Sequence, residues 1–368
     1  LPYTLSISTN FFIIMLQGRI DIHHHVIPPA FLEAMADKGI SQVAGAPLPK
    51  WTPEVSIAVM DMNGIQTAIT SISAPGVYFG SVTDACDLAR RCNEFSADMK
   101  ARYPGRFGSL AVLPMPFTEQ ACKEAVYALD TLQAEGIGLL GSTEGKFLGD
   151  PAYEELMAEL DQRQAAVFIH PNLHATSQAI GLNVPGFLIE FLCDTTRAAL
   201  NLIVSGTIEK YPNIRWILAH AGGFLPYVAW RVSLGNLMPE VNQHAPQGML
   251  TYIKRFYFDT ALSPSSSTMA ALKELVEPAH ILFGSDFPFA PAAISALQVQ
   301  TLDCSPLWDD NTKYGINRGH ALSLFPAHKR VDEVVSPLPV SGQQSFSVRI
   351  KLVLAKPLVA LADRLRNK

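Results

Sequence analysis

The sequence predicts an α/β fold: a (β/α)8 TIM barrel with an N-terminal insertion loop region and a C-terminal extension. Three observations carry that prediction. Eight short, largely apolar runs alternate with helix-like stretches, the pattern of a parallel sheet covered by helices. The glycine fingerprints of open nucleotide-binding sheets are missing, both G-x-G-x-x-G after the first strand and G-x-x-x-x-G-K-[ST] anywhere. Histidines and an aspartate stand where several runs end, the rim at which such barrels carry their chemistry.

The expected strands are residues 19–22, 67–73, 107–113, 137–141, 166–170, 214–220, 256–260 and 280–285. Between them, 82–102, 119–134, 152–164, 186–211 and 266–276 read as amphipathic helices. Residues 27–60 open with Pro28-Pro29 and lead into a helix-like 55–62, making a long first connection; 75–80 is a second. Long connections at the C-terminal face of a barrel build substrate pockets. Residues 290–325 are expected to hold the closing helices.

A chain of 368 residues, 48% hydrophobic and 17% charged, can bury a sizeable core. Its net charge of −5 divides unevenly: residues 328–368 carry eight Lys/Arg against three Asp/Glu, or +5, which leaves −10 for the body. An acidic body argues against a nucleic-acid partner. The five cysteines are scattered without a C-x-x-C pair, as in a cytoplasmic protein with reduced thiols. The longest early apolar run, 11–16, has six residues, against about twenty needed to span a bilayer. No basic residue precedes it, as one would in a signal peptide. The expected organisation is an N-terminal extension over 1–14, the barrel over 15–327 and a basic C-terminal extension over 328–368.

Candidate chemistry begins at Arg19-Ile20-Asp21-Ile22-His23-His24-His25. On an extended chain residues i and i+2 point to the same side, so His23 and His25 converge while His24 faces away. Later runs end in His170, His220 and Asp286. A lone histidine at a strand end is most often an ordinary capped residue, but several such positions sharing one rim point to a site. Three imidazoles and a carboxylate make a mononuclear divalent centre with a position open for water or substrate. His23, His25, His170 and Asp286 are therefore the expected metal ligands, with His220 the nearby acid/base. Residues 137–142 offer no lysine to bridge a second ion, so one ion is expected. Zn2+ suits three nitrogens and an oxygen, with Mn2+ the alternative.

Taken together, the motifs resemble the amidohydrolase superfamily in its aminocarboxymuconate-semialdehyde decarboxylase branch, over roughly residues 19–325. They are I-D-I-H-x-H, F-I-H-P ending the fifth strand, and L-A-H-A-G-G followed by Pro226-Tyr227 and Arg231. F-G-S-D-F-P and the closing Gly319-His320-Ala321-Leu322-Ser323-Leu324-Phe325-Pro326 complete the set. Within the branch, I-D-I-H-H-H-V-I-P-P and the flanking loops look most like fungal 6-methylsalicylate decarboxylases. The resemblance implies the same four ligands and His220 as catalytic histidine. It also implies that Arg231 binds a substrate carboxylate, reaching across a homodimer interface. Two features depart from the branch: His320 stands where asparagine is usual, and the basic tail lies outside the pattern.

Direct loss of carbon dioxide from an aromatic ring would leave an aryl anion. An ortho hydroxyl removes that obstacle by feeding electrons to the carboxylated carbon, which can then take a proton. The expected activity is thus metal-dependent, non-oxidative decarboxylation of an ortho-hydroxy aromatic acid, such as 6-methylsalicylate to 3-methylphenol (m-cresol). Asp286 would deliver the proton while His220 tunes the phenol or a bound water, or the two roles are exchanged. Trp51, Phe79 and Phe289 are candidate walls of an aromatic pocket. Two alternatives stay open: a hydrolase acting on a lactone or amide at the same metal, told apart by its product, and a barrel that holds metal or acid without turnover.

Overall fold

The computed structural model describes residues 18–180, 182–330 and 333. The expected extension over 1–14 lies outside them, as does that over 328–368 apart from 328–330 and 333. Eight strands form one sheet in chain order: β1 (Arg19–His25), β2 (Ile65–Ser71), β3 (Phe107–Val112), β4 (Gly136–Leu140), β5 (Ala166–His170), β6 (Arg215–Leu218), β7 (Tyr257–Asp259) and β8 (Ile281–Leu282). Every pairing between neighbours is parallel. The sheet closes into a barrel just past β8. Ile22 N donates to Phe283 O (3.0 Å), Asp286 N to His23 O (2.8 Å) and His25 N to Phe287 O (2.7 Å).

The strands are buried on both faces because alternate residues serve two cores. Ala166 and Phe168 of β5 join Ile20, Ile22, Leu110 and Ile217 inside the barrel. Val167 and Ile169 face outward into the layer of helices. His170 continues the inward phase of β5 and so arrives at the rim pointing in. In β1 the phase changes. Its pairing with β2 shifts register between Asp21 and His24. Ile20 and Ile22 line the interior, and one residue later His23 does too, its ring 4.8 Å from that of Phe168. A bulge that re-aims a side chain beside a site is a recurrent device in sheets.

Several elements depart from expectation. A helix, Pro29–Asp37, occupies the first connection, its start set by Pro29 just inside the first turn. Thr52 then caps Pro53–Met62 by accepting from Val55 N. The stretch 186–211 is divided into a 3-10 turn, Gly186–Leu188, and helices Glu190–Val204 and Thr207–Lys210. Gly206 makes the second break in the left-handed region, at φ 80°. The helix expected over 119–134 is regular only over Thr118–Val126 and ends in a wider turn, Tyr127–Thr131. At the barrel floor, the first described residues of the tail pack against the body. His328 Nε2 lies 3.0 Å from Glu135 Oε1, and buried Arg318 donates to Glu333 Oε2 (2.6 Å) and Gly18 O (2.7 Å).

Candidate metal centre

His23 and His25 bring their Nε2 atoms to 3.0 Å, and Oδ1 of Asp286 lies 3.2 and 3.1 Å from them. With His170, these four side chains each offer a ligand atom within 4.8 Å of all the others. Two ligands about 2.1 Å from one ion sit about 3.0–3.4 Å apart for right-angled to tetrahedral arrangements, so the three edges among His23, His25 and Asp286 are of the size a shared divalent cation takes. The second Asp286 oxygen, Oδ2, faces His220 Nε2 at 3.5 Å.

The turns that aim these groups are strained. His220, Ala221 and Asp286 adopt φ of 54°, 56° and 60°, left-handed values that cost a residue with a side chain about 1–2 kcal/mol each. Two glycines make room around them. A Cβ on Gly284 would fall 2.8 Å from His23 Cβ, and one on Gly223 would fall 2.3 Å from Leu192 O. The second contact brings helix Glu190–Val204 tight against the His220 turn.

A surrounding layer fixes the rings. His23 Nδ1 donates to Asp259 Oδ2 at 2.6 Å, leaving Nε2 free to coordinate. The other Asp259 oxygen accepts from His220 N (2.8 Å) and Ala261 N (2.9 Å). His170 Nδ1 donates to Pro171 O at 2.8 Å, and His25 Nδ1 lies 3.3 Å from Ser71 O. Burial holds His25 and His170 below their ordinary values, so both stand as neutral ligands. Burial also opposes charge on His23, yet the Asp259 and Asp286 carboxylates raise it to about 10. Burial pushes Asp286 up, but the charge of His23 and the hydrogen bonds from His220, His23 and His25 together outweigh this and hold the carboxyl well below its usual range. The cage therefore retains positive charge, and a divalent ion can take the place of the proton on His23. Three imidazoles, one of them backed by a carboxylate, and the Asp286 carboxylate fit such an ion.

Above the cage lies a cavity of about 510 Å³. Its polar wall is His170, His220, Asp286, Ser73 and Ser263, and most of the rest is apolar, including Phe187, Leu188, Phe191, Leu192, Phe289 and Ile294. Phe289 thus lies on that wall. Trp51 and Phe79 do not. Trp51 packs toward Phe95 and donates to Ser56 Oγ (2.7 Å), while Phe79 lines a separate depression beside Leu88 and Arg91. Both lie on loops, where an aromatic residue can turn to either side, and here each turns to cover a helix. Arg231 is also away from this cavity. It is exposed on helix Leu225–Ser233, in an outer groove with Tyr227 and Trp230. His320 sits elsewhere as well, donating from Nδ1 to Ile281 O (2.9 Å). Asp259 escaped notice in the sequence although it ends β7, the same rim position that marks His170.

A family model described as Amidohydrolase matches residues 20–325, and the chain belongs to that family. Over 321 residues it is 37% identical to the 6-methylsalicylic acid decarboxylase of Penicillium expansum, covering 86% of this chain and 98% of that protein. It is 38% identical over 324 residues to "Decarboxylase yanB" of Aspergillus niger, covering 84% and 88%. A solved dihydroxybenzoic acid decarboxylase from Polaromonas, with bound manganese and 2-nitroresorcinol, aligns with a TM-score of 0.73 at 26% identity, covering 85% and 98%.

Proposed function

We propose that this protein is a metal-dependent, non-oxidative decarboxylase of ortho-hydroxy aromatic carboxylic acids, with 6-methylsalicylate as substrate and 3-methylphenol and carbon dioxide as products. The observation that carries this reading is a three-histidine, one-aspartate cage, with His220 beside it, opening into a cavity whose remaining wall is mainly apolar. That lining suits a methylated ring and leaves the polar end of the substrate to the cage. The decarboxylases among its relatives support the same choice over hydrolysis.

His23, His25, His170 and Oδ1 of Asp286 would hold the ion. When bound, it would neutralise and fix the carboxylate and phenolate oxygens of the substrate. Oδ2 of Asp286, turned toward His220, is the atom we assign to proton delivery, with His220 resupplying it. The proton adds to the ring carbon that bears the carboxylate. The bond to the carboxylate then breaks, its electron pair restores the aromatic ring, and carbon dioxide leaves. One proton is taken up per turnover and is regained from solvent through His220. The apolar wall keeps water from the protonated ring carbon.

The donor set suits zinc, and the manganese in the Polaromonas relative makes manganese the second metal to try. The test is carbon dioxide release from 6-methylsalicylate before and after chelation. Release that stops on chelation and returns with Zn2+ or Mn2+ is expected, whereas release that persists without metal overturns the reading. No Lys or Arg lines the cavity among the described residues. Beyond the metal ion, a guanidinium for the substrate carboxylate would come from a second copy, and Arg231 is the residue we assign to it. Its neighbours Tyr227 and Trp230 are 88% and 73% exposed, an aromatic patch of the kind that dimers bury. Sedimentation is expected to show a homodimer, and fully active monomers would remove Arg231 from the site.

A further inference from the structure

We infer that Trp51, Ser56, His24 and Asp21 form a directional hydrogen-bond relay that positions the metal ligands against the loop walling the cavity. None of the four is a ligand, and His24 is the odd member of the histidine run.

Asp21 is fully buried, and its carboxylate is saturated with donors. Oδ1 accepts from Ser285 N (3.0 Å) and His23 N (3.2 Å), and Oδ2 accepts from Ser285 Oγ (2.6 Å) and His24 Nδ1 (3.0 Å). One side chain therefore clasps the chain at His23 to the residue just before Asp286, across the line where the barrel closes. The far nitrogen of His24, Nε2, lies 2.9 Å from Ser56 Oγ. That oxygen already accepts from Trp51 Nε1 at 2.7 Å. With Nδ1 donating to Asp21, Nε2 is an acceptor, so the Ser56 proton points at His24. Each N–H or O–H in the series donates once, and its direction runs from Trp51 to Asp21.

Trp51 lies in the first connection, in which Gln42–Val43 pairs with Ala46–Pro47 as a small hairpin. Val43 and Ala46 of that hairpin form part of the cavity wall. Trp51 stands four positions past Pro47, so the relay anchors the chain leaving that hairpin to the backbone that carries His23, His25 and Asp286. Partners of this kind behind a metal centre change its affinity when removed.

The test is metal affinity, read without substrate by competition of Zn2+ and of Mn2+ with a chromogenic chelator. Ser56→Ala cuts the relay in the middle and is expected to weaken both ions about tenfold with an unchanged far-ultraviolet circular dichroism spectrum. Trp51→Phe keeps an aromatic ring at the site and deletes only the N–H, so a smaller loss in the same direction is expected. The double variant should match Ser56→Ala alone, since the relay is already severed. Parent-like affinity in a folded Ser56→Ala, or losses that add in the double variant, would overturn the relay. If Ser56→Ala does not fold, parent-like affinity in Trp51→Phe overturns it. The inference rests on the metal cage of the proposed function, not on its substrate. A chain that binds metal normally yet releases no carbon dioxide would sink the decarboxylase reading and leave the relay standing.

Discussion

At the barrel floor, His280 is buried with its ring stacked 4.7 Å from that of Tyr257 and its Nδ1 donating to Phe256 O (3.0 Å). At the rim, His23 is equally buried, with Asp259 on one ring nitrogen and Asp286 beside the other. Burial lowers His280 to about 4, and it is a neutral core residue at ordinary pH. Burial penalises His23 in the same way, yet its two carboxylates raise it to about 10. Removal from water therefore does not make a histidine functional. A carboxylate enclosed with it turns the same burial into a demand for a cation.

The strongest way to break the contrast is at Asp286. Asp286→Asn keeps the shape but removes both the anionic ligand and the assigned proton carrier. Turnover of 6-methylsalicylate should fall by about 10²–10⁴-fold, the range of a general acid–base contribution, with weaker metal binding on top. A near-normal rate of 3-methylphenol formation would take Asp286 out of the mechanism. Asp259→Asn is milder, because His23 keeps a neutral partner. Metal affinity should drop by about 10–100-fold, measured by chelator competition, and an unchanged value would show that the carboxylate behind His23 is dispensable.

The smallest effect belongs to the floor. The His280 pKa is lower folded than unfolded, so the unfolded chain binds the extra proton first. Its penalty on stability begins as pH falls through 6.5 and is complete below about 4. The shift is worth roughly 3 kcal/mol at most. His280→Gln should therefore lose less stability than the parent between pH 7 and pH 4.5 in thermal or urea unfolding, with catalysis at pH 7 unchanged. Equal losses would mean that His280 is not the neutral residue its surroundings make it.

The same contrast explains what could be read in advance. All eight strands were legible because each is a short, largely apolar run, and the four cage residues were legible because each stands at or beside the end of such a run. Ends that leave regular structure were misjudged. The run 280–285 keeps the ladder only over Ile281–Leu282, since Phe283 N turns to Ile316 O (2.9 Å) and O of the same residue accepts from Ile22. His220 lies past β6 in a left-handed turn that no local propensity announces. Asp259 was missed because its run, Phe256-Tyr257-Phe258-Asp259-Thr260, lacks the flanking Gly and Pro that mark Asp286. Trp51 and Phe79 were misplaced because residue type gives no direction on a loop. Ser56 lay unremarked in a helix, 32 positions from the ring it faces.

The closing line of the barrel has a consequence for how the protein is made. Asp21 and Ser285, clasped across that line, are 264 positions apart in the chain. At translation rates of about 5–20 residues per second, roughly 13–50 s pass on the ribosome between the synthesis of these two positions. During that interval the nascent chain carries the early histidines without the aspartate that completes their cage. The four-residue cage is therefore complete only once the last strand of the barrel has been made.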